Sequence, residues 1–369
     1  MRKTILPLAL ATLCCSAAMA DNWMQNISDA TLLCRMSIPG THDSATGNGM
    51  ASSLTTSFAV TQAKTLDEQW ECGIRAFDLR PALNNGKLTI YHGSAQTKLS
   101  FDEALAIICA KLAANPSECA VVIMQNEGGG DDNEWGHYVT TSLDKVKTYL
   151  VDYRSDLTLG DMRGRLLVLN RNLYRPIPYG GVCQGWGNNA SNNQGTIEAP
   201  NGTKGTFHVQ DFYEVTASGA SDLKKQYVES MLKTSAGAKN KRLYINHTSG
   251  YTNKGSLFGV PTVSGMRDNA ANANTHLLTL LTDGQYVTCC TGLVMMDYAG
   301  EDTSNGVEVN GARLVEAIIA TNVSNADPVS VDAPTCSTTS STVYDLSGRC
   351  VPLEDAPHVT IDNGRKVMK

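Results

Sequence analysis

The sequence lacks three features that mark particular classes of protein. Basic residues are in the minority, with 30 Lys and Arg against 36 Asp and Glu, and the formal net charge is −6. Because nucleic-acid binding depends largely on neutralising phosphates, this balance argues against a nucleic-acid partner. Beyond residue 20, no apolar run approaches the roughly 20 residues that a membrane-spanning helix needs. The eleven cysteines show no spacing typical of a zinc site.

Residues 1–20 have the pattern of a secretory signal peptide. Arg2 and Lys3 precede an apolar run, and Ala18 and Ala20 supply small residues at positions −3 and −1 of a signal-peptidase site. Cleavage there would change the net charge from −6 to −8, because it removes two basic residues. We therefore expect an exported protein, either secreted, periplasmic or on the cell surface. Lipidation at Cys14 or Cys15 is the alternative.

The spacing of short apolar runs predicts the fold class. At 369 residues, the chain is long enough for one α/β barrel with a small appendage. Val/Ile/Leu-rich runs alternate with helical patterns, which is typical of parallel strands buried on both faces. We expect strands near 35–38, 75–79, 88–91, 120–124, 166–169, 207–210, 242–245 and 293–296, and helices near 101–113, 135–150, 221–234, 270–281 and 311–321. The Asn/Gly-rich stretch 180–205 is expected to cover the mouth of the barrel or to form an edge hairpin.

The composition changes in the last part of the chain. Residues 322–342 are rich in Ser, Thr, Pro, Ala and Asp, which is typical of a linker. The remaining residues alternate between apolar and polar, which predicts a small β appendage. Its segments YDLSGR and NGRKV resemble the C-terminal sorting tails of secreted Bacteroidetes proteins; an appendage without targeting value is the alternative. The expected segments are the signal peptide (1–20), the barrel (21–321), the linker (322–342) and the sorting-like β segment (343–369).

Several apolar runs end in charged or ionisable residues. Because the carboxyl ends of barrel strands converge on one mouth, we expect these side chains to lie close together there. His247 also follows a predicted strand and is a weaker candidate for a substrate contact. The six runs end at His42 with Asp43, Arg80, His92, Arg171, Asp211 and Asp297.

This set of residues suits phosphodiester chemistry. Two imidazoles that flank a phosphate can take a proton from the attacking hydroxyl and give one to the leaving oxygen. Arg80 would supply a permanent planar charge for the negative charge that develops on the non-bridging oxygens. Asp43 and Asp297 are available to fix the tautomers of the histidines. The sequence therefore predicts a site that cleaves a phosphodiester.

Five motifs carry a family resemblance. SIPGTHDSAT, GIRAFDLR, IYHG, VQDFY and the strand that ends at Asp297 resemble bacterial phosphatidylinositol-specific phospholipase C, in the right order over residues 23–320. The resemblance implies an irregular TIM-type barrel that cleaves phosphatidylinositol to diacylglycerol and inositol 1,2-cyclic phosphate. It implies that His42, oriented by Asp297, is the general base on the inositol 2-hydroxyl. It also implies that His92, paired with Asp43, is the general acid, and that Arg80 binds the phosphate.

The same resemblance implies the residues that bind inositol. Arg171 and Asp211 match residues that hydrogen-bond the hydroxyls, and Tyr213 matches an aromatic that lies against the ring. The chain departs from the family after the third strand, where Gln125, Asn126 and Glu127 replace a Lys-bearing segment. Glu127 remains a candidate acceptor for hydroxyls.

We expect no metal and no cofactor. Calcium-dependent relatives of the family surround a Ca²⁺ with carboxylates, and the metal-free bacterial type has Arg at one of those positions. Arg80 cannot ligate calcium and would repel it.

The expected partner is phosphatidylinositol in a membrane, contacted transiently by a monomer. Apolar side chains at the mouth would make this contact, and the alternative is that they cover the barrel's own core. For the function, the alternatives are cleavage of glycosylphosphatidylinositol anchors, cleavage of another phosphodiester by a glycerophosphodiesterase-like enzyme, and an inactive barrel that binds inositol lipids or glycans. The candidate side chains of the rim are Met50, Leu54, Phe58, Tyr251, Leu257 and Phe258.

Overall fold

A computed structural model describes residues 22–52, 58–172, 177–257, 260–284, 286 and 289–324, and short strands at 343–344, 350–351, 359–362 and 365–368. The chain divides into two compact units, residues 1–326 and 327–369. The predicted signal peptide and most of the predicted linker lie outside the described residues. Among the described helices, none is both long and apolar enough to cross a membrane.

The first unit alternates strands and helices over most of its length. Its strands are β1 (Ser37–Thr41), β2 (Ala76–Leu79), β3 (Pro81–Asn84), β4 (Lys87–His92), β5 (Ala95–Ser100), β6 (Ala120–Met124), β7 (Leu150–Val151), β8 (Leu166–Asn170), β9 (Gly181–Gln184), β10 (Ala190–Glu198), β11 (Lys204–Asp211), β12 (Leu243–His247), β13 (Thr252–Leu257), β14 (Val260–Ser264), β15 (Gly292–Met296), β16 (Thr303–Ser304) and β17 (Val307–Glu308). Its helices are α1 (Leu66–Glu71), α2 (Phe101–Ala114), α3 (Asp132–Asp144), α4 (Leu159–Met162), α5 (Ala220–Ala236), α6 (Met266–Thr282) and α7 (Gly311–Ser324), with 3₁₀ turns at Trp23–Asn26, Leu33–Arg35 and Ser44–Asn48.

The main sheet closes into a barrel. Its ten strands are ordered β6-β2-β1-β15-β12-β11-β10-β9-β8-β7, and a further pairing of β6 with β8 closes the ring. The strand pairs of the ring are parallel except those of β10, which runs antiparallel to both β9 and β11. The predicted α/β barrel is therefore confirmed, but it is not wholly parallel. The Asn/Gly-rich stretch was predicted to be a mouth cover or an edge hairpin, whereas it supplies β9 and β10 of the barrel wall.

Alternate residues of the strands face two different cores. On β6, Val121 and Ile123 pack in the core that fills the barrel, with Ile38 of β1. Val122 of the same strand packs in the other core, against the surrounding helices and side chains such as Leu105 of α2. This alternation explains why the barrel strands read as continuous apolar runs, since both of their faces are buried. Burying one Leu or Ile side chain contributes roughly 1.5–3 kcal/mol.

Local polar contacts set the helix starts. At α2, the Ser100 hydroxyl accepts a hydrogen bond from the Glu103 N–H (3.3 Å), and the Glu103 carboxylate accepts one from the Ser100 N–H (2.9 Å). Such a capping box satisfies two of the free N–H groups at a helix start. Asp131 caps α3 in a simpler way, by accepting from the Asn133 N–H at 2.8 Å.

Three further details differ from the sequence prediction. The first strand was expected near 35–38, but β1 covers Ser37–Thr41 and so includes Pro39 and Gly40. Gly40 is required there because a Cβ would lie 2.6 Å from the Met295 sulfur and 2.8 Å from the Ala76 Cβ. The strand that carries His92 was expected in the barrel, whereas β4 is the middle strand of a separate antiparallel sheet, β3-β4-β5.

The third difference is at the end of the barrel. Helix α7 runs to Ser324, so Asn322 is part of it and is not the first residue of a linker. The Asn322 amide accepts from the Ser37 N–H (2.8 Å) and donates to the Ser37 carbonyl (2.7 Å). These two bonds attach the last helix to the start of β1.

The described residues of the second unit form four short strands: β18 (Val343–Tyr344), β19 (Cys350–Val351), β20 (Val359–Asp362) and β21 (Arg365–Met368). They form an antiparallel sheet in the order β19-β18-β20-β21. That this second unit acts as a sorting signal stays a prediction.

Candidate active site

The turn after β1 presents the first histidine. Asp43 adopts a left-handed conformation (φ 45°, ψ 51°), which Asp tolerates better than most residues, and the chain leaves the strand here. The buried Gln62 amide holds the turn by donating to the carbonyls of His42 and Met296, each at 2.8 Å. The turn is therefore fixed by interior hydrogen bonds and does not depend on solvent.

His42 lies between two carboxylates. Its Nδ1 is 2.9 Å from Asp297 Oδ1, and its Nε2 is 3.1 Å from Asp43 Oδ2. Because the Asp297 carboxylate accepts, Nδ1 carries a hydrogen and Nε2 is the nitrogen that exchanges a proton. Asp297 follows β15 and also accepts from the Gly250 N–H at 3.3 Å. This is the arrangement that a general base needs.

His92 has the same kind of support on the opposite side. Its Nδ1 is 2.8 Å from the Ala59 carbonyl oxygen, which can only accept, so the exchangeable proton is on Nε2. That Nε2 lies 3.3 Å from Asp43 Oδ2. The ring centroids of His42 and His92 are 6.0 Å apart, and one oxygen of Asp43 lies within reach of both Nε2 atoms.

Arg80 lies beside the two histidines and is bound by three carboxylates. Its Nε is 3.0 Å from Asp43, its Nη2 is 2.9 Å from Asp78, and its Nη1 is 3.4 Å from Glu127. Asp78 also accepts from the Asp43 N–H at 3.3 Å, which ties the guanidinium to the turn after β1. Glu127 accepts from the Gly93 N–H at 2.8 Å. Arg80 is therefore held in place before any substrate arrives.

The charged groups around His42 and Arg80 form one half of the site, and they strongly shift the pKa values of several of its members. Burial opposes a charge on His42, but the carboxylates of Asp43 and Asp297 outweigh it and raise the pKa of His42 to about 9. Burial raises the pKa of Asp43 against the attraction of Arg80 and the two histidines. Burial acts to raise the pKa of Asp78, but the attraction of Arg80 and His42 and the hydrogen bond from Arg80 together lower it well below its ordinary value.

A second group of side chains forms the other half of the site. Asp211 ends β11, and its Oδ2 accepts from the Trp186 indole N–H at 3.0 Å. Arg171 follows β8, lies 3.4 Å from the same oxygen and stacks over the Trp186 ring with its guanidinium carbon 4.2 Å from the ring centroid. His247 ends β12, with Nδ1 3.5 Å from Asp211 Oδ1. A planar cation, a carboxylate and an aromatic face are thus held together.

Two tyrosines extend this half towards the rim. The rings of Tyr213 and Tyr251 are stacked, with centroids 5.6 Å apart. The Tyr251 N–H donates to the Tyr213 carbonyl at 2.8 Å. Asn189 completes the support, since its side-chain oxygen accepts from the N–H groups of Tyr213 (2.8 Å) and Glu214 (3.0 Å).

Both halves line one cavity of about 370 Å³. It exposes the groups that can act on a phosphate at one side and the groups that can hold hydroxyls at the other. Its lining residues are His42, Phe58, Ala59, Arg80, His92, Gly93, Ser94, Gln125, Glu127, Arg171, Asn188, Asp211, Tyr213 and Tyr251.

One cluster in the described part of the chain has the composition of a metal site. Ligand-type atoms of His42, Asp43 and Asp78 lie within 4.8 Å of one another. Arg80 already bonds or ion-pairs with both carboxylates, at 3.0 Å and 2.9 Å. A cation here would have to displace the guanidinium, so the donor set fits a divalent metal poorly.

The structure brings together every predicted site residue. Seven of the nine line the cavity, and Asp43 and Asp297 contact His42 directly. Sequence reasoning did not assign a role to Asp78 or Trp186, and it expected Tyr251 at the rim and not in the site. Asp78 had a detectable signal, since it stands two residues before Arg80, at the end of β2, and in an extended chain residues two apart face the same side. Trp186 had no such signal, because it lies in the Asn/Gly-rich stretch, which lacks an apolar strand pattern.

The predicted rim residues have mixed outcomes. Met50 is buried against Ala59 and Ala95, so it covers the core. Phe58 and Tyr251 line the cavity. Leu54 and Phe258 lie outside the described residues, and so does the side chain of Leu257. The predicted membrane contact therefore stays a prediction.

Comparison with curated proteins finds bacterial relatives. Over 157 residues the chain is 34% identical to a 1-phosphatidylinositol phosphodiesterase of Listeria monocytogenes, an alignment that covers 41% of this chain and about half (48%) of that protein. It is 25% identical over 295 residues to the protein of the same name from Staphylococcus aureus strain Newman, covering 76% of this chain and 88% of the relative. No family model matches the chain.

Solved structures give the same result. The phosphatidylinositol-specific phospholipase C of Listeria monocytogenes superposes with a TM-score of 0.63 at 25% identity, covering 82% of this chain and 98% of that one. A variant of the Staphylococcus aureus enzyme superposes with a TM-score of 0.67 at 22% identity and the same coverage. The chain is thus homologous to the bacterial phosphatidylinositol-specific phospholipases C and shares their barrel fold, which confirms that part of the resemblance.

Proposed function

We propose that this protein is a metal-independent phospholipase C that cleaves phosphatidylinositol to diacylglycerol and inositol 1,2-cyclic phosphate. One observation carries the proposal: two imidazoles 6.0 Å apart line one cavity with Arg80, and each has an acceptor on Nδ1, so that Nε2 is the nitrogen available for proton transfer. The homologous proteins of Listeria and Staphylococcus are named for the same activity.

His42 acts as the general base in this proposal. Its Nε2 takes the proton of the inositol 2-hydroxyl as that oxygen attacks phosphorus. His42 acts from its neutral form, and because its pKa is raised to about 9, this form becomes more populated as the pH rises. Asp297 stabilises the imidazolium that then forms.

His92 acts as the general acid. The bond between phosphorus and the glycerol oxygen breaks as the cyclic phosphodiester forms, and the Nε2–H of His92 protonates the departing oxygen. The Ala59 carbonyl keeps the ring oriented throughout, because it bonds the nitrogen that does not react. Asp43 Oδ2 lies 3.3 Å from the reacting nitrogen.

Arg80 stabilises the negative charge that develops on the non-bridging oxygens. Its guanidinium is delocalised and stays charged, and the surrounding carboxylates raise its pKa well above the ordinary value despite its burial. Since it is held in place beforehand, little reorganisation is needed during the reaction. It fulfils the role that a divalent cation has in calcium-dependent enzymes.

The second half of the cavity binds the inositol ring. Arg171 donates to hydroxyls, Asp211 accepts from them, and the Tyr213 ring covers one face. Glu127 offers a further acceptor, although one of its oxygens already accepts from Gly93 and the other from Gln125 at 2.7 Å. Arg80, Gln125 and Gly93 lower the pKa of Glu127 in spite of its burial, so it is ionised at neutral pH.

One experiment separates this proposal from its alternatives. The full-length protein is incubated with phosphatidylinositol vesicles in EDTA, and the products are followed by ³¹P NMR. We expect the signal of a five-membered cyclic phosphate. A linear phosphate monoester that appears only with added Ca²⁺ would indicate another phosphodiesterase, and no product would indicate an inactive lipid-binding barrel. A glycosylphosphatidylinositol-anchored protein as second substrate tests the remaining alternative.

The cellular setting is also a proposal. Because the substrate is a membrane lipid, we infer that the protein is exported and contacts bilayers transiently as a monomer, with no nucleic-acid partner. The N-terminal pattern of residues 1–20 and the acidic net charge support this inference.

A further inference from the structure

Lys224 is a buried lysine that the proposed mechanism does not use. It lies on α5 with 1% of its surface exposed. Lysine is almost never buried to this extent unless its ammonium has a specific task, because removing the charge from water is costly. The bonds that Lys224 makes indicate what that task is.

The ammonium bonds the chain segment that carries the inositol-binding residues. Lys224 Nζ donates to the Phe212 carbonyl at 2.6 Å and to the Gln210 side-chain oxygen at 3.4 Å. These residues alternate along the chain with Asp211 and Tyr213, which line the cavity. Lys224 therefore bonds both neighbours of Asp211, the backbone of Phe212 and the side chain of Gln210.

Gln210 extends this support to the neighbouring strand. Its side-chain oxygen also accepts from the Phe212 N–H (2.8 Å), and its amide nitrogen donates to the Asn246 side chain (2.8 Å) and the His247 carbonyl (2.7 Å). The ends of β11 and β12 are thereby joined beneath the cavity. Lys224 bonds the residue at the centre of this network.

Asn189 holds the same segment from the opposite side. Its side-chain oxygen accepts from the N–H groups of Tyr213 and Glu214. Two side chains from different parts of the sequence thus bond two consecutive peptide groups, Phe212–Tyr213 and Tyr213–Glu214. Such double support is what keeps a binding constellation within the narrow geometric tolerance that recognition needs.

The charges near Lys224 also link it to the inositol half of the site. Burial lowers the pKa of Lys224 to about 7, against the attraction of the carboxylates of Asp211 and Asp297. The ammonium is therefore near enough to influence both carboxylates electrostatically.

We propose that Lys224 is a positioning residue for the inositol half of the site, and that it sets substrate affinity without taking part in proton transfer. The inference rests on the proposed function, since it assigns the Asp211–Tyr213 segment to the polyol. The ligand whose binding should depend on Lys224 is the polyol ring and not the phosphate. The bonds of Lys224 support the segment that carries Asp211 and do not involve Arg80.

The test compares Lys224→Met with wild type in the full-length protein. For phosphatidylinositol, we expect KM to rise about tenfold, as for loss of one hydrogen bond from a charged donor, while kcat stays within about threefold. The dissociation constant of myo-inositol, measured by NMR titration, should rise by the same factor. Binding of inorganic phosphate should not change.

A matched control separates positioning from general stability. Asn322→Leu removes a buried amide at the other end of the barrel, where it bonds Ser37. It should lower the melting temperature and leave KM and the myo-inositol affinity unchanged. If Lys224→Met behaves in the same way, Lys224 is structural and the inference is overturned.

A second variant covers the case in which Lys224→Met does not fold. Asn189→Ala removes the partner support, and it too should raise KM and weaken myo-inositol binding; unchanged values would overturn the inference. If wild type binds myo-inositol but produces no cyclic phosphate, the proposed function fails while the titration still decides the role of Lys224. If wild type does neither, both fail.

Discussion

The two halves of the cavity are built in different ways. The half around His42, His92 and Arg80 consists of charged groups in direct contact, with five ion-pair distances between 2.9 and 3.3 Å. A sixth, between Arg80 and Glu127, is 3.4 Å. The half around Asp211 has fewer ion pairs, at 3.4 and 3.5 Å, and its Arg171 is held by stacking on Trp186. The first half is suited to moving protons and stabilising charge. The second is suited to holding a neutral, hydroxyl-rich ring.

Two histidines show the difference most clearly. His42 and His247 are both buried, and their ring centroids are 6.2 Å apart. Two carboxylates in contact with His42 overcome the cost of burial and raise its pKa to about 9. For His247, burial dominates over the more distant Asp211 and lowers the pKa to about 3. Both imidazoles are buried, so the difference comes from the charges around them. Two carboxylates contact His42, whereas His247 has one more distant carboxylate and the cations Lys224 and Arg171 nearby.

The largest expected effect comes from the first half. His42→Ala and His92→Ala should each lower kcat on phosphatidylinositol by about 10²–10⁴-fold, because each removes one end of the proton transfer. A substrate whose leaving group needs no proton should partly rescue His92→Ala and not His42→Ala. Initial rates on both substrates measure this. His276→Ala, on α6 near Glu229, is the control and should retain activity. Equal losses on both substrates would contradict the assigned roles.

Arg80→Lys should have the next largest effect. The lysine keeps the charge but lacks the planar fork that engages two oxygens, so kcat/KM should fall by about 10²–10³-fold. Wild-type activity should be the same in EDTA and in Ca²⁺. Arg154→Lys, at an exposed ion pair with Asp156, serves as control. Wild-type activity that requires Ca²⁺ would refute the metal-independent mechanism.

The two histidines should affect stability in opposite pH ranges. The pKa of His42 is raised in the folded state, so its contribution to the free energy of unfolding is present below pH ~6.5 and is lost as the pH rises towards 9. The pKa of His247 is lowered, so the folded state loses stability as the pH falls from ~6.5 towards 3.

Chemical denaturation across pH 3–10 measures this contrast. Relative to wild type, His42→Gln should be most destabilising at low pH, with the deficit shrinking between pH ~6.5 and 9. The free energy of unfolding of His247→Gln should rise relative to that of wild type as the pH falls. If both variants change in the same direction, the contrast between the two halves is wrong.

The smallest effect should follow removal of the second unit. Every residue assigned to the cavity lies between His42 and Asp297, so truncation after Ala326 should leave kcat/KM unchanged. Truncation after Thr321 is the contrasting variant, because it removes Asn322 and its bonds to Ser37 and should lower the melting temperature. Lost activity with an intact fold after the first truncation would show that the second unit contributes to the site.

Much of the fold follows from local patterns. Strand β6 lies at the predicted residues, and most other barrel strands lie within a few residues of their predictions, because runs buried on both faces are strongly apolar. Strands β9 and β10 were missed since their polar, Gly-rich sequence lacks that signal. The position of β4 outside the barrel was missed as well, because an apolar run does not reveal which strands it pairs with.

By itself, the sequence determined that the chain forms a barrel and which ionisable residues stand at the ends of its strands, since both depend on neighbours along the chain. Tertiary structure decided how those residues pair. Asp43 contacts His42, His92 and Arg80 because the turn after β1 is left-handed and the β3-β4-β5 sheet lies beside the barrel. Lys224 reaches Phe212 only because α5 packs against β11 and β12. Such contacts depend on strand order and register, which no local pattern encodes.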